Sequence, residues 1–319
     1  MRKGKIIGGI VLGATVLTLI AVVLIRSISP GGAGRDSDGS IYKGSPAVGV
    51  IEINGAIAGG ESSASLFGGG YTGSQTVMAQ LRQVSKEPNI KAVVLHMNSP
   101  GGTPAASQEI ADEVLRLKKS GVKIVTSMSD VAASGAYWIA ATSDRIVANP
   151  GTITGSIGVI VQTKNYQGLY NKLGIEGNTF KSGIYKDMGT TDRPVTEEEG
   201  QIFQSMVEDT YQQFIDIVAK NRKLNPQDVR QLNGRVMTGR QAVNAGLVDT
   251  LGNFYDAVSI AGEMAGLGKT PEVIDLGSKK QWWQAFESLQ SAAGITQAPL
   301  SSLDYSGVLL LCPPIEMLQ

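Results

Sequence analysis

Residues 6–25 form an apolar run of 20 residues with no charge. As an α-helix rising about 1.5 Å per residue, the run is about 30 Å long, the hydrocarbon thickness of a bilayer. The apolar stretch of a cleaved signal peptide is shorter, about 7–15 residues, and ends at a small-residue site. Here Arg26-Ser27-Ile28-Ser29-Pro30 follows instead. A buried core helix is a poor alternative, because the run keeps its apolar character all round. Arg2, Lys3 and Lys5 precede it and Arg26 alone follows closely. The positive-inside rule therefore holds the short N-terminus in the cytoplasm and places everything after Arg26 outside. Residues 27–45, rich in Gly, Ser and Asp, read as a flexible tether.

From residue 46 onward the pattern alternates strands and helices. Residues 48–53 are rich in β-branched side chains and read as a strand. Residues 55–73 are glycine-rich and read as a loop. Val77, Met78, Leu81 and Val84 recur at helical spacing. Residues 92–97 are an almost continuous apolar run, the signature of a strand buried on both faces. A helix with Ile110, Val114 and Leu117 on one face follows, then a second buried strand at 122–128. A helix opens at 134–141 and a strand at 145–148. Parallel strands joined by helical crossovers explain this order. Thr196-Glu197-Glu198-Glu199 is a capping box opening a long helix with Ile202, Met206, Phe214, Ile217 and Val218. Residues 238–247 and 256–265 read as shorter helices. Residues 308–319 are apolar, contain Pro313-Pro314, and read as a tail outside the core.

Composition narrows the function. Basic and acidic residues balance at 28 each; without the four cations flanking the apolar run, the rest carries 24 against 28. No basic stripe marks a nucleic-acid surface. One cysteine, Cys312, excludes an intrachain disulfide. The chain has one histidine, His96. A Ser-His-Asp or Cys-His hydrolase would have to use it. A structural histidine on its strand is the plainer role, and one His in a cysteine-poor chain is a weak metal ligand.

Three glycine-bearing segments interrupt the pattern. Asn98-Ser99-Pro100-Gly101-Gly102 lies between a buried strand and a helix, where glycines let backbone N–H groups face a ligand. Ala132-Ala133-Ser134-Gly135-Ala136 also lies where a strand gives way to a helix. Its small side chains leave the Ser134 hydroxyl approachable and put the Gly135 N–H beside it. Thr154-Gly155-Ser156-Ile157-Gly158 is the third. Each segment alone is as well explained by a tight turn. Two of them at strand C-terminal ends stand where open α/β sheets place their sites.

Together these segments resemble the signal peptide peptidase A family, Ser-Lys proteases related in fold to the Clp protease subunit and the crotonases. The resemblance continues in order through Lys181-Ser182-Gly183-Ile184-Tyr185-Lys186-Asp187, Gly239-Arg240-Gln241-Ala242 and Gly246-Leu247-Val248-Asp249. It spans about 48–251. It implies an α/β fold of repeated ββα units wound into a superhelix, behind the transmembrane helix. The implied domains are a stub and anchor at 1–26, a linker at 27–45, a protease domain at 46–276 and an extension with an apolar tail at 277–319. It implies Ser134 as nucleophile, Lys186 as general base, and Ser156 as the residue that orients the lysine. Gly102 and Gly135 would supply the oxyanion-hole N–H groups. Spacing alone does not separate Gly102 from Gly101, or Lys186 from Lys181. No cofactor or metal is implied. The implied substrates are remnant signal peptides and other unfolded apolar peptides at the membrane, taken in by a homo-oligomeric ring, an octamer in the short form.

The chemistry makes demands of its own. Free lysine titrates near 10.4, so a lysine base needs a desolvated pocket that lowers its pKa by several units. A carboxylate next door works against this, so the Asp187 side chain is expected to point away from Lys186. Three rival readings follow from the same residues. A crotonase-like enzyme acting on coenzyme A thioesters would leave Ser134 and Lys186 without a role. A scaffold with a dead protease fold would not need them intact. A stomatin-operon type Ser-Lys protease would carry further C-terminal membrane spans. The tail at 308–319 itself resembles a substrate, and a place for it near Ser134 is expected.

Overall fold

A computed structural model describes residues 44–63 and 70–277, together with the backbone of the short strand Leu310–Leu311. The apolar run at 6–25 and the tether lie outside the described residues. Among the described residues no helix is long and apolar enough to cross a membrane.

The strands are β1 (Ala47–Asn54), β2 (Ala56–Ala58), β3 (Tyr71–Gly73), β4 (Ile90–Ser99), β5 (Gly101–Gly102) and β6 (Lys123–Ala133). They continue as β7 (Arg145–Ala148), β8 (Ile153–Gly155), β9 (Val236–Thr238), β10 (Thr250–Leu251), β11 (Glu272–Asp275) and β12 (Leu310–Leu311). The helices are α1 (Ser74–Val84), α2 (Pro104–Lys119), α3 (Gly135–Ala140), α4 (Gln167–Leu173), α5 (Glu197–Arg222), α6 (Pro226–Gln231), α7 (Gly239–Asn244) and α8 (Phe254–Met264).

The main sheet runs β10-β7-β6-β4-β1-β11, and every pair along that path is parallel. β8 adds to the far end of β6 and carries β9 antiparallel beside it. A second, small sheet has the order β12-β5-β2-β3. Two successive units repeat one path: a long strand of the main sheet, short strands of the small sheet, then a helix. They are β1-β2-β3-α1 and β4-β5-α2. The stretch expected to be a loop, 55–73, therefore contains two strands. At three residues each and bordered by glycines, they are too short to show a two-residue period.

The buried strands read from sequence are buried on both faces for a visible reason. Along β4, Val93, Leu95 and Met97 join the core beneath α1, α2 and α3. The alternate residues Ala92 and Val94 join Val48, Val50, Val125 and Val147 beneath α8, against Ala257, Val258 and Ala261. Alternate side chains of a strand face opposite sides, so covering both faces with helices requires an unbroken apolar run. Burying each such Val or Leu contributes about 1.5–3 kcal/mol. α5 begins with the anticipated capping box: Thr196 Oγ1 accepts the Glu199 N–H, and the Glu199 carboxylate accepts the Thr196 N–H. Its buried face is Phe214, Ile215, Val218 and Ala219, whereas Met206 is exposed.

The downstream motifs tie elements together. Arg222 on α5 donates to both Asp249 carboxylate oxygens (2.9 and 3.0 Å) and to the Gly246 carbonyl. Asp249 also accepts the Ile146 N–H of β7 at 2.7 Å, and Tyr137 on α3 donates to the Leu247 carbonyl. Gln241 completes a capping box with Thr238 at the start of α7.

Candidate active site

Ser134 stands between β6 and α3 in a conformation that L-residues avoid, φ 54° and ψ −122°. Two hydrogen bonds hold it there. Its N–H donates to the Gly155 carbonyl at 2.9 Å, and its carbonyl accepts the Trp138 N–H at 2.9 Å. Strained backbone at a strand-to-helix corner costs on the order of 1–3 kcal/mol and persists where the surroundings impose it. The Ser134 side chain is buried, and among the described residues its hydroxyl oxygen has no hydrogen-bond partner. A buried hydroxyl that gives up its bonds to water is destabilising by about 1–3 kcal/mol. Such an orphan is explained by a role in which a partner arrives later.

Ser156 repeats the geometry on the neighbouring strand. It has φ 51°, is almost fully buried, and donates its N–H to the Arg235 carbonyl at 3.0 Å. β6 and β8 align Ala133 with Gly155. Ser134 and Ser156 therefore follow matched positions at the same end of adjacent strands. A third segment reaches the same place, because β4 and β6 align Ser99 with Ala132 after a register shift.

Glycine is required at 102 for space. A β-carbon there would lie 1.8 Å from the Ile57 carbonyl oxygen. One at Gly135 would lie 2.4 Å from the Ser107 hydroxyl and 3.1 Å from the Gly102 nitrogen. The backbones of Gly102 and Gly135 are thus immediate neighbours beside Ser134. Ile57 and Ser107 carry no signal in the sequence that they belong here; packing alone reveals them. The Thr103 N–H donates to the Ile57 carbonyl at 2.9 Å. Strand alternation then turns the Gly102 N–H away from β2, towards the edge where Leu310 of β12 pairs with Gly102 and Leu311 with Gly101. The tail read as lying outside the core thus contributes an antiparallel strand beside the glycines of β5.

Lys186 is not brought to Ser134 within one chain. It is exposed, on a turn closed by its own N–H to the Gly183 carbonyl at 3.1 Å. No hydrogen bond joins Ser134, Ser156 and Lys186. Among the described residues no desolvated pocket encloses Lys186. The Asp187 carboxylate pairs with Lys181 at 2.7 Å and Arg193 at 2.9 Å, and among the described residues no ion pair joins it to Lys186. The segment leading to Lys186 exposes Leu169, Leu173, Ile175, Phe180 and Ile184, with Phe180 96% exposed.

His96 occupies a different place. Its Nδ1 is 3.0 Å from Glu52 Oε1 on β1, and its ring packs tilted at 44° against Phe254 of α8, with centroids 4.8 Å apart. The hydrogen bond with His96, the largest cause, lowers the Glu52 pKa below its usual value. These contacts place His96 on the α8 side of the sheet. Among the described residues no group of three or more His, Cys, Asp or Glu is placed to hold a metal ion.

A parallel α/β sheet with a strained, buried serine at a strand-to-helix corner, flanked by two closely approaching glycine backbones, defines a ClpP-like framework built around a serine. The Clp protease family profile matches residues 71–152, and the peptidase family S49 profile matches residues 116–268. A Synechocystis protein named "Putative protease" is 39% identical over 227 residues, covering 71% of this chain and 76% of that one. An Enterococcus faecium protein named "Putative signal peptide peptidase SppA" is 42% identical over 210 residues, 65% of this chain and 60% of its own length. "Protease 4" of Salmonella typhi is 37% identical over 221 residues, 69% of this chain and 35% of its own length. The chain belongs to peptidase family S49.

Proposed function

We propose that this chain is a membrane-anchored serine endopeptidase that cleaves remnant signal peptides and other unfolded apolar peptides. The observation that carries this is the buried, unpartnered Ser134 hydroxyl at a strained corner beside Gly102 and Gly135. In this reading Ser134 attacks the scissile carbonyl, and Lys186 takes its proton and later returns it to the leaving amine. Ser156 holds the amine, and the Gly102 and Gly135 N–H groups receive the oxyanion, each donor contributing about 10²–10³ in rate. A coenzyme A thioester enzyme would use the same glycines but would leave the orphaned hydroxyl without a task. The apolar run at 6–25 supports a single-pass anchor with the catalytic domain outside the cell membrane.

The lysine reaches its serine through assembly. Lys186 sits exposed at the end of a segment of exposed apolar side chains, a surface suited to a second copy. Packing that segment against a neighbour would desolvate Lys186 and favour its neutral form. The ClpP-like sheet supports a ring of such copies, and an octamer is the size expected. In the resting state the Leu310–Leu311 strand covers the edge of Gly102 that a substrate strand needs.

Ser134→Ala, Lys186→Ala and His96→Ala test the assignment in a peptide-cleavage assay, with labelling by a serine-directed phosphonate. Loss of cleavage in the first two and its retention in His96→Ala is expected. An active Lys186→Ala enzyme would overturn the lysine base.

A further inference from the structure

Asp187 is the worst possible neighbour for a lysine that must lose its proton. A carboxylate within about 4–6 Å of an amine favours the charged form. Its side chain is captured by two cations: Lys181 Nζ lies 2.7 Å from Oδ1, and Arg193 donates at 2.9 Å to Oδ1 and at 3.3 Å to Oδ2. The Arg193 hydrogen bonds and then those from Lys181 hold the Asp187 carboxyl well below the usual carboxylate range. Arg193 reaches further. Its Nη1 donates to Glu199 Oε2 at 2.9 Å, and Glu199 is buried in the first turn of α5. The guanidinium therefore clips the Lys186 turn to the start of α5.

Within the ion-paired cluster of four side chains the charges balance. Lys181 and Arg193 face Asp187 and Glu199, while Asp192 accepts the Thr190 hydroxyl at 2.6 Å. Glu197 and Glu198 complete the acidic first turn of α5, and the Tyr185 phenol lies beside Lys186 in sequence. We propose that Arg193 is a positioning residue for the Lys186 base, fixing its turn and cancelling the Asp187 charge so that the amine can deprotonate. This rests on Lys186 acting as the base. Without Arg193 the balance of that cluster becomes one negative charge, and the amine holds its proton to higher pH. Without Asp187 it becomes one positive charge, and the amine releases its proton at lower pH. Removing both restores the balance.

The test is the pH dependence of kcat/KM for peptide cleavage by the full chain in detergent micelles. Arg193→Met should move the acid limb up by about one pH unit, a roughly tenfold loss on that limb. Asp187→Asn should move it down while leaving the Arg193–Glu199 pair in place. Asp187→Asn combined with Arg193→Met should return the limb to the wild-type position. Acid limbs that coincide in all four proteins, with losses only in kcat or melting temperature, would overturn the proposal in favour of a purely structural clip. If Arg193→Met does not fold, Asp187→Asn decides alone, and an unmoved or raised limb overturns the idea. Lys186→Ala run alongside separates the two claims. Activity there removes the base assignment and this proposal with it, whereas inactivity with coincident limbs removes only the role of Arg193.

Discussion

Replacing Gly102 by alanine offers a sharp test of the proposed oxyanion hole, because the structure fixes what one methyl group must do. The new β-carbon would sit 1.8 Å from the Ile57 carbonyl oxygen, 2.5 Å from its carbon and 2.6 Å from the Ile57 nitrogen. Ordinary contact begins near about 3.5 Å, so β5 and β2 must part by about 1.5 Å or more. All three crowding atoms are backbone, so no side chain can swing aside. A displacement of that size takes the Gly102 N–H out of the roughly 2.7–3.1 Å reach of an oxyanion. The expected loss in kcat is about 10²–10³, equal to about 2.7–4 kcal/mol of transition-state stabilisation. Overpacking should also cost about 1–3 kcal/mol of stability, so melting must be followed in parallel. Steady-state cleavage of a fluorogenic peptide, with circular dichroism on the same samples, separates the two effects. A folded Gly102→Ala enzyme with kcat within about threefold of wild type, under 1 kcal/mol, would refute the donor role.

The remaining expectations are simpler. Gly200 on α5 has nothing within 4 Å of its would-be β-carbon, so Gly200→Ala should raise stability by about 0.5–1 kcal/mol in denaturant titration without altering kcat. Truncation before Leu310 should raise peptidase activity by freeing the β5 edge, and an unchanged rate would end the idea that the tail competes with substrate. Arg193 and then the Thr196 N–H lower the Glu199 carboxyl from 4.5 to about 2. A lowered folded-state pKa gives stability that is present above pH 4.5 and lost as pH falls towards about 2. Melting temperatures across that window should fall less steeply for Glu199→Gln than for wild type.

Much of the framework was legible because its signals are local. The apolar runs of β4 and β6 could satisfy only strands covered on both faces, and the Thr196–Glu199 capping box places the start of α5 by residue type alone. The Ser134 corner was partly legible: small residues around Ser134 permit a left-handed serine, though they do not demand one. The single histidine left lysine as the natural alternative base. Tertiary structure decided the rest. Strands of two or three residues, β2 and β5, carry no periodicity, yet their close crossing is what forbids a side chain at Gly102. Ser107, Ile57 and the Arg235 carbonyl reach the site only by packing between segments distant in sequence. Above all, sequence order alone could not say where Lys186 stands. Among the described residues the fold leaves that lysine exposed, because no element packs over its turn.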